Sequence, residues 1–255
     1  MSKIVLITGA TSGIGKACAE VFAREKYHLI LTGRREERLQ ALKKELEAKE
    51  SIMVKTLCFD VSDKDAVSEN LNNLPDDWKD IAVLINNAGL SQGLSAIQDG
   101  ELSDWETMID TNIKGLLYVS KIVSGWMINN KKGHIINLGS IAAKEVYPNG
   151  NVYCATKHAV DALNKAMRID LLPHGIKVTG IHPGAVETEF SVVRFHGDEE
   201  KAKKVYEGYE PLSATDIAET IWFAASRPAH VNISDLLIMP TAQANVAHHI
   251  KGNRE

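Results

Sequence analysis

Three residues in the middle of the chain have the types and spacing of an acid–base centre: Ser140, Tyr153 and Lys157. Tyr153 and Lys157 stand four positions apart in a segment, 151–172, rich in Ala, Leu and Met and stopped by Pro173-His-Gly175. That composition and stop predict a helix. Residues at i and i+4 share a helical face, which aims phenol and ammonium at one space. An unperturbed phenol titrates near pH 10, too high for proton exchange at neutrality. A cation about 4 Å away stabilises the phenolate by roughly 4 kcal/mol at an effective dielectric of about 20. That is enough to turn a tyrosine into a working proton donor. Ser140 follows a glycine and the apolar run Ile135-Ile136-Asn137-Leu138, so its hydroxyl belongs at a strand's end. Taken alone, Tyr-x-x-x-Lys also describes a solvated surface pair, and its meaning depends on what surrounds it.

The elements that must position these groups read as strands alternating with helices. Lys3-Ile-Val-Leu-Ile-Thr8 is a short apolar run suited to a buried parallel strand. It passes through Gly9-Ala-Thr11-Ser12-Gly13-Ile14-Gly15 into a helix over 16–26. Glycines there allow a tight turn and let backbone N–H groups approach a pyrophosphate, and the helix N-terminus adds partial positive charge. The spacing, Gly-x3-Gly-x-Gly, differs from the more familiar Gly-x-Gly-x-x-Gly, and a purely structural turn is the other reading. A second strand, 28–32, leads to Gly33-Arg34-Arg35. An NAD site would carry an acid there for the ribose 2′-hydroxyl; a glycine followed by two guanidinium groups suits a 2′-phosphate instead. NADP is therefore the expected cofactor. The alternative is that Arg34 and Arg35 solvate the next helix, but cations are disfavoured at a helix start.

Further along, a helix over 36–49 and a strand over 52–59 lead to Asp60-Val61, where an acid could accept from an adenine amino group or cap the next helix. Ser62-x-x-Asp65 reads as a capping box, which makes Asp60 the freer acid. The strand 81–85 ends in Asn86-Asn87-Ala88-Gly89, small and polar enough to lie against a flat ligand. Ser103-x-x-Glu106 reads as another capping box, opening one long helix through Asn112 to about residue 126. An asparagine inside a helix is locally unfavourable, so a function for it is plausible. A strand over 176–181 leads to His182-Pro183-Gly184-Ala-Val186-Glu-Thr188, again at a carboxyl end, where open α/β sheets bind ligands. Residues 190–211 are mixed in pattern and form a candidate lid. Ser213-x-x-Asp216 starts a last helix to residue 225, a strand over 236–239 closes the sheet, and 241–255 is a polar tail. With no repeat and no linker, residues 1–255 are expected to be one domain.

Composition sets the outer bounds. Of 255 residues, 44% are hydrophobic and 24% charged, ordinary for a soluble protein. A net charge of −4 argues against nucleic acid or an anionic membrane as the main partner. No apolar run approaches the roughly 18 residues of a membrane span. The opening Met-Ser-Lys runs directly into a strand and leaves no room for a signal peptide. Three cysteines without Cys-x-x-Cys spacing suggest reduced thiols in a cytoplasmic protein. Nine scattered histidines, none in His-Glu-x-x-His, give no reason to expect a metal site.

Taken in order, Thr8-Gly-x3-Gly13-x-Gly15, Asn86-Asn-Ala-Gly89, Asn112, Ser140, Tyr153-x3-Lys157 and Pro183-Gly184 resemble the short-chain dehydrogenase/reductase family over the whole chain. The resemblance implies a doubly wound, Rossmann-type, seven-stranded parallel sheet with helices on both faces. It implies that Tyr153 is the general acid/base and that Ser140 hydrogen-bonds the substrate oxygen. Lys157 would hold the nicotinamide ribose and lower the Tyr153 pKa, while Asn112 supports a proton-relaying water. Gly9, Thr11, Ser12, Gly13, Ile14, Gly15, Arg34, Arg35, Asp60, Val61, Asn87, Ala88, Gly89, Tyr153, Lys157, Pro183, Gly184, Val186 and Thr188 would surround the cofactor. Two departures stand out: Ser12 replaces a basic residue of many NADP-using members, and Cys154 replaces a serine.

Asp104-Trp-Glu-Thr-Met-Ile-Asp-Thr-Asn112, Thr188-Glu-Phe-Ser-Val-Val-Arg194-Phe-His-Gly197-Asp198, Arg227-Pro-Ala-His-Val-Asn-Ile233 and Met239-Pro-Thr-x-Gln243-Ala are similar to the family's NADP-dependent serine/3-hydroxy acid dehydrogenase branch. That implies hydride transfer at the β-carbon of L-serine, L-allo-threonine or a related 3-hydroxy acid. Such a substrate carries a carboxylate, for which Arg194 is the candidate cation; anchoring the lid is its other reading. A reductase of an uncharged ketone or a 3-oxoacyl thioester, and a non-catalytic NADP-sensing module, are the competing functions. The family also implies a homotetramer, packed through helices 103–126 and 151–172. Alanines at 155, 159, 162 and 166 would allow close approach of a partner or pack on the sheet. The stretch Ala247-His-His-Ile-Lys251 could take its order from a neighbouring subunit.

Overall fold

The computed structural model describes residues 3–252; the opening Met-Ser pair and the tail's end, 253–255, lie outside the described residues. The strands are β1 (Ile4–Ile7), β2 (His28–Gly33), β3 (Val54–Cys58), β4 (Ile81–Asn86), β5 (His134–Leu138), β6 (Lys177–Pro183) and β7 (Asp235–Ile238). They form one seven-stranded sheet in the order β3-β2-β1-β4-β5-β6-β7, every pair parallel. The helices are α1 (Gly13–Arg24), α2 (Glu36–Glu50), α3 (Lys64–Asn72), α4 (Leu102–Ile109), α5 (Leu116–Asn130), α6 (Asn151–Leu171), α7 (Phe190–Arg194), α8 (Glu199–Lys204) and α9 (Ala214–Ala225).

Alternation along the strands builds two cores. Val5 and Ile7 of β1 face one side, with Phe22 of α1, Leu39 and Leu42 of α2, and Ile217 and Ile221 of α9. Ile4 and Leu6 face the other, with Leu71 of α3, Val123 and Met127 of α5, and Leu171 of α6. With both faces covered, the strands need near-continuous apolar runs, as Ile-Val-Leu-Ile in β1 shows. Strand order reverses direction at β1 and β4, so a crevice opens at their carboxyl ends, where such sheets bind ligands.

The structure departs from expectation where capping decides. Helix α3 is capped by Asp63, whose carboxylate accepts from the backbone N–H groups of Asp65 and Ala66 at 3.0 Å each. Ser62 turns to Asp60 instead, so the expected Ser62 box does not form. The Ser103 box is absent too: α4 starts at Leu102 after Glu101, without a side-chain cap. The single long helix expected there is interrupted by a π-turn, Asp110–Gly115, before α5. Such bulges relieve a local conflict, and here the conflict is visible. Asn112 must reach the loop after β4, and at Gly115 a Cβ would stand 2.8 Å from Val61 Cγ2. The Ser213–Asp216 capping box at α9 does form. Through residue 252 the tail packs on its own chain. Gln243 pairs with His249, Val246 N–H donates to Glu145 (3.1 Å), and Gly252 N–H donates to Gly208 O (2.8 Å).

Candidate active site

A cavity of about 610 Å³ occupies the crevice beyond the strand ends. Its wall starts at the turn between β1 and α1, where Gly9 and Gly13 hold φ of +68° and +51°, values that suit glycine. Thr8 ties this turn to β4: its hydroxyl accepts from Asn87 N–H and Ala88 N–H, 3.0 Å each. The Asn87 side chain returns donors to Thr8 O (2.8 Å) and Gly9 O (3.1 Å). Gly9, Thr11, Ser12, Gly13, Ile14, Asn87, Ala88 and Gly89 all line the cavity. Gly15 does not; a Cβ on it would stand 2.3 Å from Gly9 O, so its place is in the packing beneath the turn.

Arg34, Arg35, Asp60 and Val61 close one end. Asp60 is not the free acid expected. One oxygen accepts from Ser62 N–H (2.9 Å) and hydroxyl (2.7 Å), the other from Arg34 (3.3 Å). Burial alone would raise this carboxyl, but Ser62 and Arg34 together hold it below the usual range. Arg35 lies over the glycine turn and donates to Thr11 Oγ1 (2.8 and 3.1 Å) and Ser12 Oγ (2.8 Å).

Ser140, Tyr153 and Lys157 line the opposite end together, with Pro183, Gly184, Val186 and Thr188. Tyr153 and Lys157 share a face of α6 as their spacing requires: Lys157 Nζ is 5.9 Å from the centre of the phenol ring. Ser140 opens the tight turn Ile141–Ala143 after β5, its hydroxyl accepting from Ala142 N–H at 3.1 Å. Lys157 is buried and donates to Leu138 O (2.9 Å); burial pushes its pKa down to about 8. Burial also pushes the Tyr153 phenol up, and the main opposing influences are the Arg194 guanidinium and a hydrogen bond with Ser140. Arg194 thus joins Lys157 beside the Tyr153 ring, a second cation that helix spacing does not announce.

Arg194, on α7, lines the same cavity. Its guanidinium carbon lies 5.3 Å from the Tyr153 ring centre and 5.0 Å from that of Phe190. It also fastens the segment 190–211 to the body by donating to Ser91 Oγ (3.2 Å) and Tyr147 Oη (3.1 Å). Phe190, Val193, Phe195, Val205, Tyr206 and Tyr209 of that segment line the cavity. Nothing local in the sequence marks Tyr147 as a cavity residue.

Asn112 does not line the cavity. Its amide donates to Leu90 O (2.8 Å) and Thr156 Oγ1 (3.0 Å), and its carbonyl accepts from Leu90 N–H (2.9 Å). The Thr156 hydroxyl in turn donates to Tyr153 O (2.8 Å). Every polar atom of the Asn112 side chain is therefore engaged with protein, between the loop after β4 and the helix that carries Tyr153. Gln243, from the tail, also went unmarked as a site residue: its Oε1 accepts from Ala185 N–H (2.9 Å) in the loop after β6.

Behind Ser140 lies a charged cluster that only folding assembles. Asp161, His182 and Asp235 bring ligand-type atoms within 4.8 Å of one another. Lys144 Nζ already sits between the two carboxylates, 2.9 Å from Asp161 and 2.7 Å from Asp235. His182 Nε2 is 3.1 Å from Asp235 but out of hydrogen-bonding line. Burial pushes the imidazole pKa down, and the Asp235 charge opposes this. His182 fills the space beside Gly139, where a Cβ would stand 2.3 Å from Nδ1.

The family model for short chain dehydrogenases matches residues 3–198. The chain belongs to that family. It is 48% identical over 242 residues to the NADP-dependent 3-hydroxy acid dehydrogenase YdfG of Salmonella typhi, 94% of this chain and 96% of that one. It is 45% identical to the serine 3-dehydrogenase of Agrobacterium fabrum and 46% to sulfoacetaldehyde reductase 2 of Chromohalobacter salexigens, each over 96% of both chains. Among solved structures, the closed form of a serine dehydrogenase complexed with NADP+ superposes with a TM-score of 0.91 at 43% identity, covering 99% of this chain and 100% of that one.

Proposed function

We propose that this short-chain dehydrogenase uses NADP(H) and exchanges a hydride with the β-carbon of a small 3-hydroxy acid such as L-serine or L-allo-threonine. The observation that carries this reading is the placement of Arg194 beside Tyr153 and Ser140 in one cavity, a fixed cation within reach of the acid–base pair. A substrate whose hydroxyl meets Ser140 and Tyr153 would then have its carboxylate near a guanidinium fork, which binds carboxylates bidentately. The wall residues fit the cofactor. Positive-φ glycines open the β1–α1 turn, and Arg34 and Arg35 line the cavity just past β2, where they would supply cations to a 2′-phosphate. Bound there, the cofactor would supply the hydride acceptor for oxidation and the donor for reduction. Tyr153 takes the hydroxyl proton during oxidation and returns it in reduction, Ser140 holds the reacting oxygen, and Lys157 adds positive charge at the same end.

Arg194 also suits an anionic aldehyde. The likeness to a sulfoacetaldehyde reductase favours a sulfonate-bearing substrate as a second reading. An uncharged ketone or a thioester would leave the guanidinium without an ionic partner, and a sensing module would leave Ser140, Tyr153 and Lys157 without work. Initial rates with NADP+ and NAD+ on L-serine, L-allo-threonine and 3-hydroxypropionate, beside simple alcohols, test the proposal, with NADPH and sulfoacetaldehyde run in reverse. Rates on simple alcohols equal to those on the acids would overturn it.

The homotetramer belongs to the same proposal. Leu102, Ile109, Leu117 and Ile169 are exposed on α4, α5 and α6. Ala155, Ala162 and Ala166 face outward rather than onto the sheet, which suits a close helix partner. Light scattering after size exclusion would show four chains. Described helices are too short or too polar to cross a membrane. The three cysteines are unpaired, which fits the reducing cytoplasm.

A further inference from the structure

Glu189 stands immediately before α7, at the root of the covering segment, and reaches across to α2. One carboxylate oxygen accepts from Arg35 Nη1 at 2.9 Å and the other from Arg38 Nη1 at 2.7 Å. Arg35 is the same guanidinium that lies over Thr11 and Ser12 of the glycine turn. The two arginines hold the Glu189 carboxyl below its ordinary range, Arg35 most strongly. A carboxylate at the root of that segment thus occupies a guanidinium that a 2′-phosphate at Arg35 would need.

We propose that Glu189 is an internal competitor for the 2′-phosphate: it limits the preference for NADP over NAD, and its displacement unties the covering segment from α2. The inference rests on the placement of that phosphate at Arg34 and Arg35. A 2′-phosphate carries about −1.5 to −2 charge at neutrality, against −1 for the carboxylate, and competes for the same fork geometry. The two anions repel one another, so the stronger one takes Arg35. A dinucleotide without the phosphate leaves the Glu189 pairs in place. Glu189, Arg35 and Arg38 are each exposed to between 41% and 47%, which keeps the effect modest. Two exposed pairs are together worth about a three- to tenfold change in affinity.

Calorimetry with nucleotide fragments tests this without turnover. Adenosine 2′,5′-bisphosphate should bind Glu189→Gln about three- to tenfold more tightly than the unmodified chain, and adenosine 5′-monophosphate equally to both. Glu189→Asp, too short to span both guanidinium groups, should fall between. In an Arg35→Gln, Arg38→Gln background, Glu189→Gln should bring no gain, as a double-mutant cycle requires of a residue acting through those two. Hydrogen exchange across 190–195 should rise with the bisphosphate and not with the monophosphate. If Glu189→Gln binds the bisphosphate no better, or changes both fragments alike, Glu189 is not a competitor. If Arg35→Gln alone leaves the bisphosphate affinity untouched, the phosphate placement itself is wrong, a distinct failure.

Discussion

Arg194→Gln separates the two charges that Arg194 would serve on the proposed reading, the phenolate of Tyr153 and the carboxylate of the substrate. The guanidinium carbon is 5.3 Å from the phenol ring centre. At about 5 Å and an effective dielectric of about 20, the attraction to a phenolate is at most roughly 3 kcal/mol, or about two pH units. Solvent at the cavity mouth screens part of it, so we expect about one unit. The phenol is already raised by burial, and Arg194 opposes that rise. Its removal therefore moves the basic form to still higher pH. In kcat/KM for oxidation, which needs the phenolate, the rising limb should shift up by about one unit. The second effect is on binding. Losing a hydrogen bond to a charged group costs about 1.5–3 kcal/mol, so KM for 3-hydroxy acids should rise roughly 10- to 150-fold. Uncharged alcohols should show the pH shift and little change in KM. Arg194→Lys keeps a charge without the fork, so it should restore the pH limb better than the KM. Equal losses on acids and alcohols, with an unmoved limb, would refute the reasoning and leave Arg194 as an anchor of the lid.

The same geometry sets three further outcomes. Tyr153→Phe should lose about 10²- to 10⁴-fold in kcat while calorimetry still finds NADP+ bound; retained turnover would remove Tyr153 from the chemistry. Lys157 is buried with its pKa pushed down to about 8, against about 10.4 in an unfolded chain. Between those values the unfolded state holds more protons, so stability rises with pH. Urea titrations should show the unmodified chain gaining about 3 kcal/mol relative to Lys157→Met from pH 8 to about 10.4, and a flat difference would contradict the burial argument. Lys144→Met leaves Asp235 without its ammonium and Asp161 with Lys165 alone, at 2.6 Å. We expect a loss of about 2–3 kcal/mol and, by NMR, a rise in the His182 pKa once the opposing ammonium is gone. An unchanged imidazole titration would mean the cluster is not coupled.

Much of the scaffold was legible without coordinates. Short apolar runs alternating with amphipathic segments mark each strand and most helices, because period and punctuation are properties of a few consecutive residues. The same holds for Tyr153 and Lys157, whose shared face follows from helical spacing alone, and for the glycine turn that opens α1. Local signals failed where two hydroxyls or carboxylates compete for one helix start. Ser62 has a capping-box partner in sequence, yet Asp63 wins the cap and Ser62 is drawn to Asp60. The break between α4 and α5 was hidden too, because it answers to Leu90 and Val61, residues distant in the chain.

By itself, then, the order of residues determined the sheet, the crevice and the chemical identity of the groups at its edge. Tertiary structure alone decided that Arg194 joins Lys157 beside Tyr153, which acid holds Arg35, and how Asp161, His182, Asp235 and Lys144 meet behind Ser140. The physical reason is range. A backbone period is set by neighbours three or four positions away, whereas a charge acts over several ångströms of space on whatever the fold brings there.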